Sequence, residues 1–312
     1  MTKSIRTAIL LGTQRFEVTV DRLVKQFHEG GAIAAITCGW RDREDEDDAL
    51  RRALGVEMIN LRLRWRKQQV FERDPELAEA HRQRQKKLRH KQDFYRIRLE
   101  YALAAHDIIR SRNAPEDVEA QEQEASLNAL KTLDQYHVDD CADIHQRFEM
   151  ETSLATRPEV VRHREELREI LSRCRSLAIA GGHVATIYNR LAFFGLTDAL
   201  DGHTVFAWSA GAMAICDRIV LYHDSPPQGS GASQVLSRGV GWVPNLVFLP
   251  EPEKRLRRDP NRVSVLASRF RPARTFAVPT GAYLVCEDDR VTRLSGIEEL
   301  EPNGRVERRE TP

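Results

Sequence analysis

The sequence lacks most of the signals that would place a protein quickly. Its five cysteines, Cys38, Cys141, Cys174, Cys216 and Cys286, are scattered without a CxxC pair. An odd, unpatterned set argues for reduced thiols and against a disulfide framework or a zinc ribbon. No apolar run approaches the roughly 20 residues a membrane helix needs, so no membrane association is expected. Neither sign of charge is in excess: a formal net charge of +1 gives no global field to recruit nucleic acid or acidic lipid. No glycine occurs between Arg62 and Arg173, and no histidine follows His223. A phosphate loop is missing, because Gly229-Ser230-Gly231 lacks the following Lys-Ser/Thr and helix. No cofactor and no metal centre are expected; Asp139, Asp140, Asp143 and His145 cluster, but in a polar run that reads as solvated helix surface. Met1-Thr2-Lys3-Ser4 leads directly into a strand-like stretch rather than a secretory signal. A soluble, cytoplasmic protein is the expectation.

What is present has two textures. Of the 312 residues, 41% are hydrophobic and 30% charged, a balance that suggests one good core plus a strongly solvated segment. The first sixty residues or so alternate. Thr7 to Leu11, Ala32 to Thr37 and Val56 to Leu61 read as short buried strands, separated by helical spacing over Val18 to Phe27 and Asp45 to Leu54. Strands alternating with helices predict a parallel sheet. From Arg62 to Arg173 the pattern is helical, and Pro75, Pro115 and Pro158 each sit where a helix could start. Phe94, Ile97, Tyr101, Ala104 and Ile108 alternate spacings of three and four, a helix or coiled-coil seam. This region is expected to be two or three long helices, with one end in solvent. Its charge runs read as a solvated face, and a dimerisation arm or a clamp for a protein partner is the alternative. From Ser176 the α/β texture returns, with strands expected at Leu177 to Ala180, Thr204 to Ala207, Val243 to Leu249, Thr275 to Val278 and Ala282 to Cys286, and a polar, frayed end. The expectation is a discontinuous α/β domain over 1–61 and 174–312, interrupted by an inserted helical region over 62–173.

One stretch carries most of the chemistry. Val205-Phe206-Ala207-Trp208-Ser209-Ala210-Gly211-Ala212-Met213 is an apolar strand running into a serine, small residues and a helix. That is a nucleophile-elbow pattern: a tight turn exposes the hydroxyl at the carboxyl edge of a sheet, and backbone N–H groups beyond it can meet a developing oxyanion. Upstream, Ala180-Gly181-Gly182-His183 ends a strand in a turn that lets backbone approach closely. Beside the elbow, the Gly182 N–H could complete an oxyanion hole with that of Ala210. Each stretch alone is equally an ordinary strand-to-helix turn.

In this order and at this separation the two stretches resemble the aspartyl dipeptidase (peptidase E) and cyanophycinase family of serine peptidases. Gly239-Val240-Gly241-Trp242-Val243-Pro244 is similar to a third segment of that family. The resemblance covers about Thr7 to Leu61 loosely and Ser176 to about Gly296 more firmly, and leaves the helical region outside. It implies a three-layer α/β sandwich with a mostly parallel central sheet, of the class I glutamine amidotransferase-like fold. It also implies a serine hydrolase acting on a peptide or small amide substrate, with Ser209 as nucleophile and Asp224 spaced like the acidic partner of the dipeptidase branch. Asp224 is equally part of a surface turn, His223-Asp224-Ser225-Pro226-Pro227. The sequence departs from the family where the catalytic histidine should stand, which reads Leu249-Pro250-Glu251-Pro252. A serine at its ordinary pKa needs an adjacent base. Three accounts remain. The base is His183, with His203 and His223 as weaker candidates; or it is Glu251; or the site is degenerate, and the chain is a ligand-binding or assembly protein acting through its helical insert, with a second copy or another protein as partner. The run Arg255, Arg257, Arg258, Arg262, Arg269, Arg271 and Arg274 reads as solvated surface, with anion binding the alternative.

Overall fold

The computed structural model describes residues 5–15, 17–196, 200, 202–224 and 232–311 of the chain. Ser225 to Pro227 and the Gly229-Ser230-Gly231 stretch lie outside the described residues. The chain opens with strand β1 (Thr7–Leu11), helix α1 (Val20–Phe27), β2 (Ala32–Ile36), a 3₁₀ turn at Cys38–Arg43, α2 (Asp48–Leu54) and β3 (Met58–Asn60). β1 and β2 are buried along their whole length, as expected of strands covered on both faces. Gly55, left-handed at φ 67°, ends α2.

The helical region follows as α3 (Leu63–Arg73), α4 (Pro75–Arg110), α5 (Glu116–Thr152) and α6 (Pro158–Ser172). The prolines mark helix starts: Pro75 and Pro158 open α4 and α6, and Pro115 precedes α5. Asp74 caps α4 by accepting from the Leu77 N–H at 2.9 Å. With 36 residues in α4 and 37 in α5, the two form an antiparallel hairpin roughly 54 Å long. Its base is continuous with the main core: Leu63, Val70, Leu77, Phe148, Val160 and Leu167 pack in one cluster with Ile36 and Ile179.

The remainder is β4 (Cys174–Ile179), α7 (Val184–Phe194), β5 (Thr204–Trp208), α8 (Ala210–Ile215), β6 (Arg218–Leu221), β7 (Gln234–Arg238), β8 (Leu246–Pro250), α9 (Pro252–Arg255), α10 (Pro260–Phe270), β9 (Arg274–Val278), β10 (Tyr283–Glu287), β11 (Arg290–Ser295), β12 (Ile297–Leu300) and β13 (Val306–Arg309). The central sheet runs β11-β10-β1-β5-β4-β2-β3. Its core from β1 to β3 is parallel, and β10 and β11 are antiparallel. Alternate residues of β1 face opposite layers: Ile9 and Leu11 pack with α1 and α2, Ala8 and Leu10 with α7 and α8. The fold is therefore mixed α/β with helices on both faces of a mostly parallel sheet.

Two features differ from the sequence expectation. β8 and β9 leave the central sheet for a second one, β13-β12-β9-β8, so the runs at Val243 to Leu249 and Thr275 to Val278 are strands of a smaller layer. The polar end does not fray. β13 pairs with β12, and Glu299 of β12 holds Arg274 at 2.7 Å and Arg309 at 2.8 Å. Ion pairing replaces the apolar pattern that would have revealed this strand.

Candidate active site

β5 delivers Ser209 to the carboxyl edge of the sheet between β1 and β4. The Ser209 N–H donates to the Leu11 carbonyl at 3.1 Å, and its backbone sits at φ 51°, ψ −122°. A serine in that region is strained by roughly 1–3 kcal/mol; the neighbouring strand ends hold it there. Gly211, two residues on, packs so closely that a Cβ would collide with the Ile179 carbonyl. A Cβ on Gly181 would lie 3.1 Å from Ser209 Cβ and 3.4 Å from its Oγ. Gly182, at φ 119°, faces the Gly39 carbonyl, and a Cβ on Gly39 would stand 2.6 Å from the Gly181 oxygen. The ends of β2, β4 and β5 thus interlock through glycine. Among the described residues the Gly182 and Ala210 N–H groups and Ser209 Oγ make no hydrogen bond.

His183 caps α7. Its Nδ1 accepts from the Thr186 N–H at 3.2 Å and lies 3.0 Å from Thr186 Oγ1, and its own N–H donates to the Gly39 carbonyl at 2.9 Å. Burial, and then the charge of Arg41, push its pKa below the ordinary value, so the ring is neutral. Arg41 itself stands at φ 59°, ψ −117°, a second strained residue at this edge. Sequence reasoning missed it, along with Gly39 and Thr13; the Thr13 hydroxyl is buried without a partner just beyond β1. The legible signal was a glycine directly after a buried strand.

The acidic candidates lie apart from His183. Asp224 pairs with Arg262 at 2.5 Å and accepts from the Arg257 N–H at 2.8 Å. Glu251 closes β8 at φ 58° and pairs with Arg255 at 2.9 Å. Arg255 links the two acids, because its carbonyl accepts from the Asp224 N–H at 2.8 Å, and the Tyr222 hydroxyl donates to the Pro250 carbonyl. Glu251 reaches the Ser209 edge indirectly: its N–H donates to Val278 O at 3.3 Å, and the adjoining Pro279 abuts Gly12, next to Leu11. The structure therefore brings Gly181 against Ser209 and joins Asp224 to Glu251, but it forms no Ser209–His183–Asp224 chain. His203 precedes β5 at the opposite edge and bonds Leu171 O at 3.1 Å, which separates it from Ser209 by the length of the strand. Gly239 to Pro244 wraps the end of α8, where Val240 N–H donates to Ala214 O at 2.8 Å and Val243 N–H to Ile215 O at 3.0 Å.

Two cavities are outlined, neither lined by Ser209. One of about 400 Å³ is lined by Glu17, Thr280, Gly281 and Arg308; the other, about 580 Å³, by Asp45, Asp47, Arg51 and Asn60. Among the described residues no group of three or more metal-ligating side chains occurs, and no helix is long and apolar enough to cross a membrane. Asp139 and Asp140 form ion pairs with Arg238 at 2.6 Å and Lys91 at 2.6 Å.

No protein-family model and no curated protein matches the chain. Solved structures do. A peptidase from an acI-B1 Actinobacterium is 12% identical, with 97% of this chain and 93% of that chain covered and a TM-score of 0.47. A protein of Listeria monocytogenes EGD-e, provisionally named a peptidase E, is 9% identical, with 96% and 100% covered and a TM-score of 0.43. These are likenesses of low identity.

Proposed function

We propose that the chain is a divergent serine hydrolase of the peptidase E/cyanophycinase type, within the class I glutamine amidotransferase-like fold, and that it acts on a peptide-type amide through Ser209. The observation that carries this reading is the strained Ser209 backbone at φ 51°, ψ −122° beside the Gly181–Gly182 turn. Strain of this kind persists where a fold has a use for it. Ser209 Oγ attacks the carbonyl carbon, and the Gly182 and Ala210 N–H groups receive the oxyanion. The proton passes to His183 Nε2. With Nε2 as the base, Nδ1 gives up the bond it accepts from the Thr186 N–H and its proton is accepted instead by Thr186 Oγ1, 3.0 Å away, so Thr186 orients the ring where an acid would in other triads. Glu251 is the competing base. Asp224, engaged by Arg262, supports the loop that carries Glu251. The test is turnover of a panel of blocked amides and dipeptides. Hydrolysis lost in Ser209→Ala and cut at least about 100-fold in His183→Ala supports the reading; turnover that survives Ser209→Ala overturns it.

A second reading, assembly through the insert, is favoured by the outer face of α4. Phe94, Ile97, Tyr101 and Ile108 are 64%, 51%, 74% and 55% exposed, whereas Tyr95, Leu99 and His106 of the same helix are buried. The seam is therefore left open by its own chain. Its partner in this reading is a second copy. Antiparallel pairing about Tyr101 sets Ile108 of one copy beside Phe94 of the other. It also brings the exposed Lys86, Lys87 and Arg89 towards the tip, where α5 begins with Glu116, Asp117 and Glu119.

A further inference from the structure

Where the helical insert meets α7, the chain buries basic side chains without acidic partners. Lys67 of α3 and Arg84 of α4 are 4% and 7% exposed. Lys67 Nζ lies 2.7 Å from His81 Nε2 of α4 and 4.6 Å from the centre of the Phe71 ring. Arg84 lies 4.1 Å from the centre of the Phe148 ring. Its buried Nε has no hydrogen-bond partner, and the same is true of Arg190 Nε on α7. Among the described residues, neither guanidinium enters a hydrogen bond or an ion pair.

Nearby acids do not compensate. Glu44 acts on Arg190 only at a distance, because its carboxylate is occupied by the Arg64 and Trp65 N–H groups at 2.9 and 3.0 Å. Glu149, which acts on Arg84, is exposed. Arg269 provides the contrast within the same molecule: it is as deeply buried, but bonds Asp134, Tyr95 and the Ser233 carbonyl. A buried arginine left without an acceptor is costly unless something supplies one, and a planar guanidinium matches the paired oxygens of phosphate and carboxylate.

We propose that this junction of α3, α4 and α7 is a binding site for a small oxyanion, held by Arg84 and Arg190 with Lys67 as a third donor. The site is separate from Ser209 and does not depend on how that residue acts. It would tie the insert to α7, the helix that starts at the Gly181–Gly182 turn. Burial, reinforced by Arg190 and Arg84, lowers the Lys67 pKa to about 5, so without a ligand Lys67 is an uncharged amine at neutral pH. An anion beside it favours the ammonium form, and binding near pH 7 takes up a proton.

The probes are inorganic phosphate and succinate, titrated separately into the full chain by calorimetry and by thermal unfolding, with sodium chloride at matched ionic strength as the control. The expected result is saturable binding of one ion per chain, a rise in Tm beyond that of chloride, and a binding heat that varies between buffers as proton uptake requires. Phosphate binding without succinate binding would identify a phosphoryl ligand, and the reverse a carboxylate. Arg84→Met and Arg190→Met should each weaken binding at least tenfold. Neither should lower Tm in the absence of anion, because each removes an uncompensated charge. No saturable heat with either probe, or variants that bind as the parent does, would overturn the assignment. The parent titration stands alone should a variant fail to fold.

Discussion

At the scale of single residues, the backbone geometry of this sheet edge depends on glycines as much as on Ser209. Gly182 combines φ 119° with a carbonyl where a Cβ would go, so Gly182→Ala should destabilise the chain by more than about 1 kcal/mol and displace His183, visible as a lower urea midpoint. His183 can accept a proton only while neutral. Because burial and Arg41 lower its pKa, the rate of Ser209 modification should be flat through neutral pH. It should fall only as pH drops below the ordinary histidine value of roughly 6.5; an inflection above that value would exclude His183 as the base. The elbow and the Gly-Gly turn were legible because small residues around a serine leave few backbone options. The ion pair of Asp224 was not, because its partner, Arg262, comes from a helix that no local pattern connects to it.

At the scale of elements, the first five parallel strands were legible from short apolar runs and from the helices between them. The second sheet was not, because β12 and β13 are held by charged cross-strand pairs. The long hairpin was legible from its proline starts and helical spacing, but its seam was ambiguous. Tyr95 and Leu99 face α5, while Phe94, Ile97 and Tyr101, one or two positions away, face solvent. Besides the apolar packing at its base, the hairpin is fastened to the rest of the molecule by Asp134 of α5, paired at 2.5 Å with Arg269 of α10 in full burial, with the Tyr95 hydroxyl donating to Asp134 at 2.7 Å. Asp134→Ala leaves Arg269 buried without its counter-ion and should cost about 3–5 kcal/mol, measured by chemical denaturation. Replacing Asp134 and Arg269 together with apolar residues should recover much of that loss. A loss under 1 kcal/mol for the single variant would mean that the pair does not anchor the hairpin.

At the scale of the whole molecule, a sheet edge that presents a strained serine and an outward apolar helix face occupy one chain. If the face serves assembly, sedimentation should give a dimer that becomes a monomer in Ile97→Glu/Tyr101→Glu, with unchanged helix content. A monomer at all concentrations in the parent chain would remove the assembly reading. Neither result bears on whether Ser209 is activated.

The measurement that bears on it most directly is covalent labelling with a fluorophosphonate probe, read by intact mass beside Ser209→Ala, His183→Ala and Glu251→Gln. An activated nucleophile gives one adduct per chain that is absent in Ser209→Ala, slowed at least about tenfold in His183→Ala, and retained in Glu251→Gln. The contradicting result is no adduct on the parent chain under conditions that label a known serine hydrolase, or an adduct that persists in Ser209→Ala.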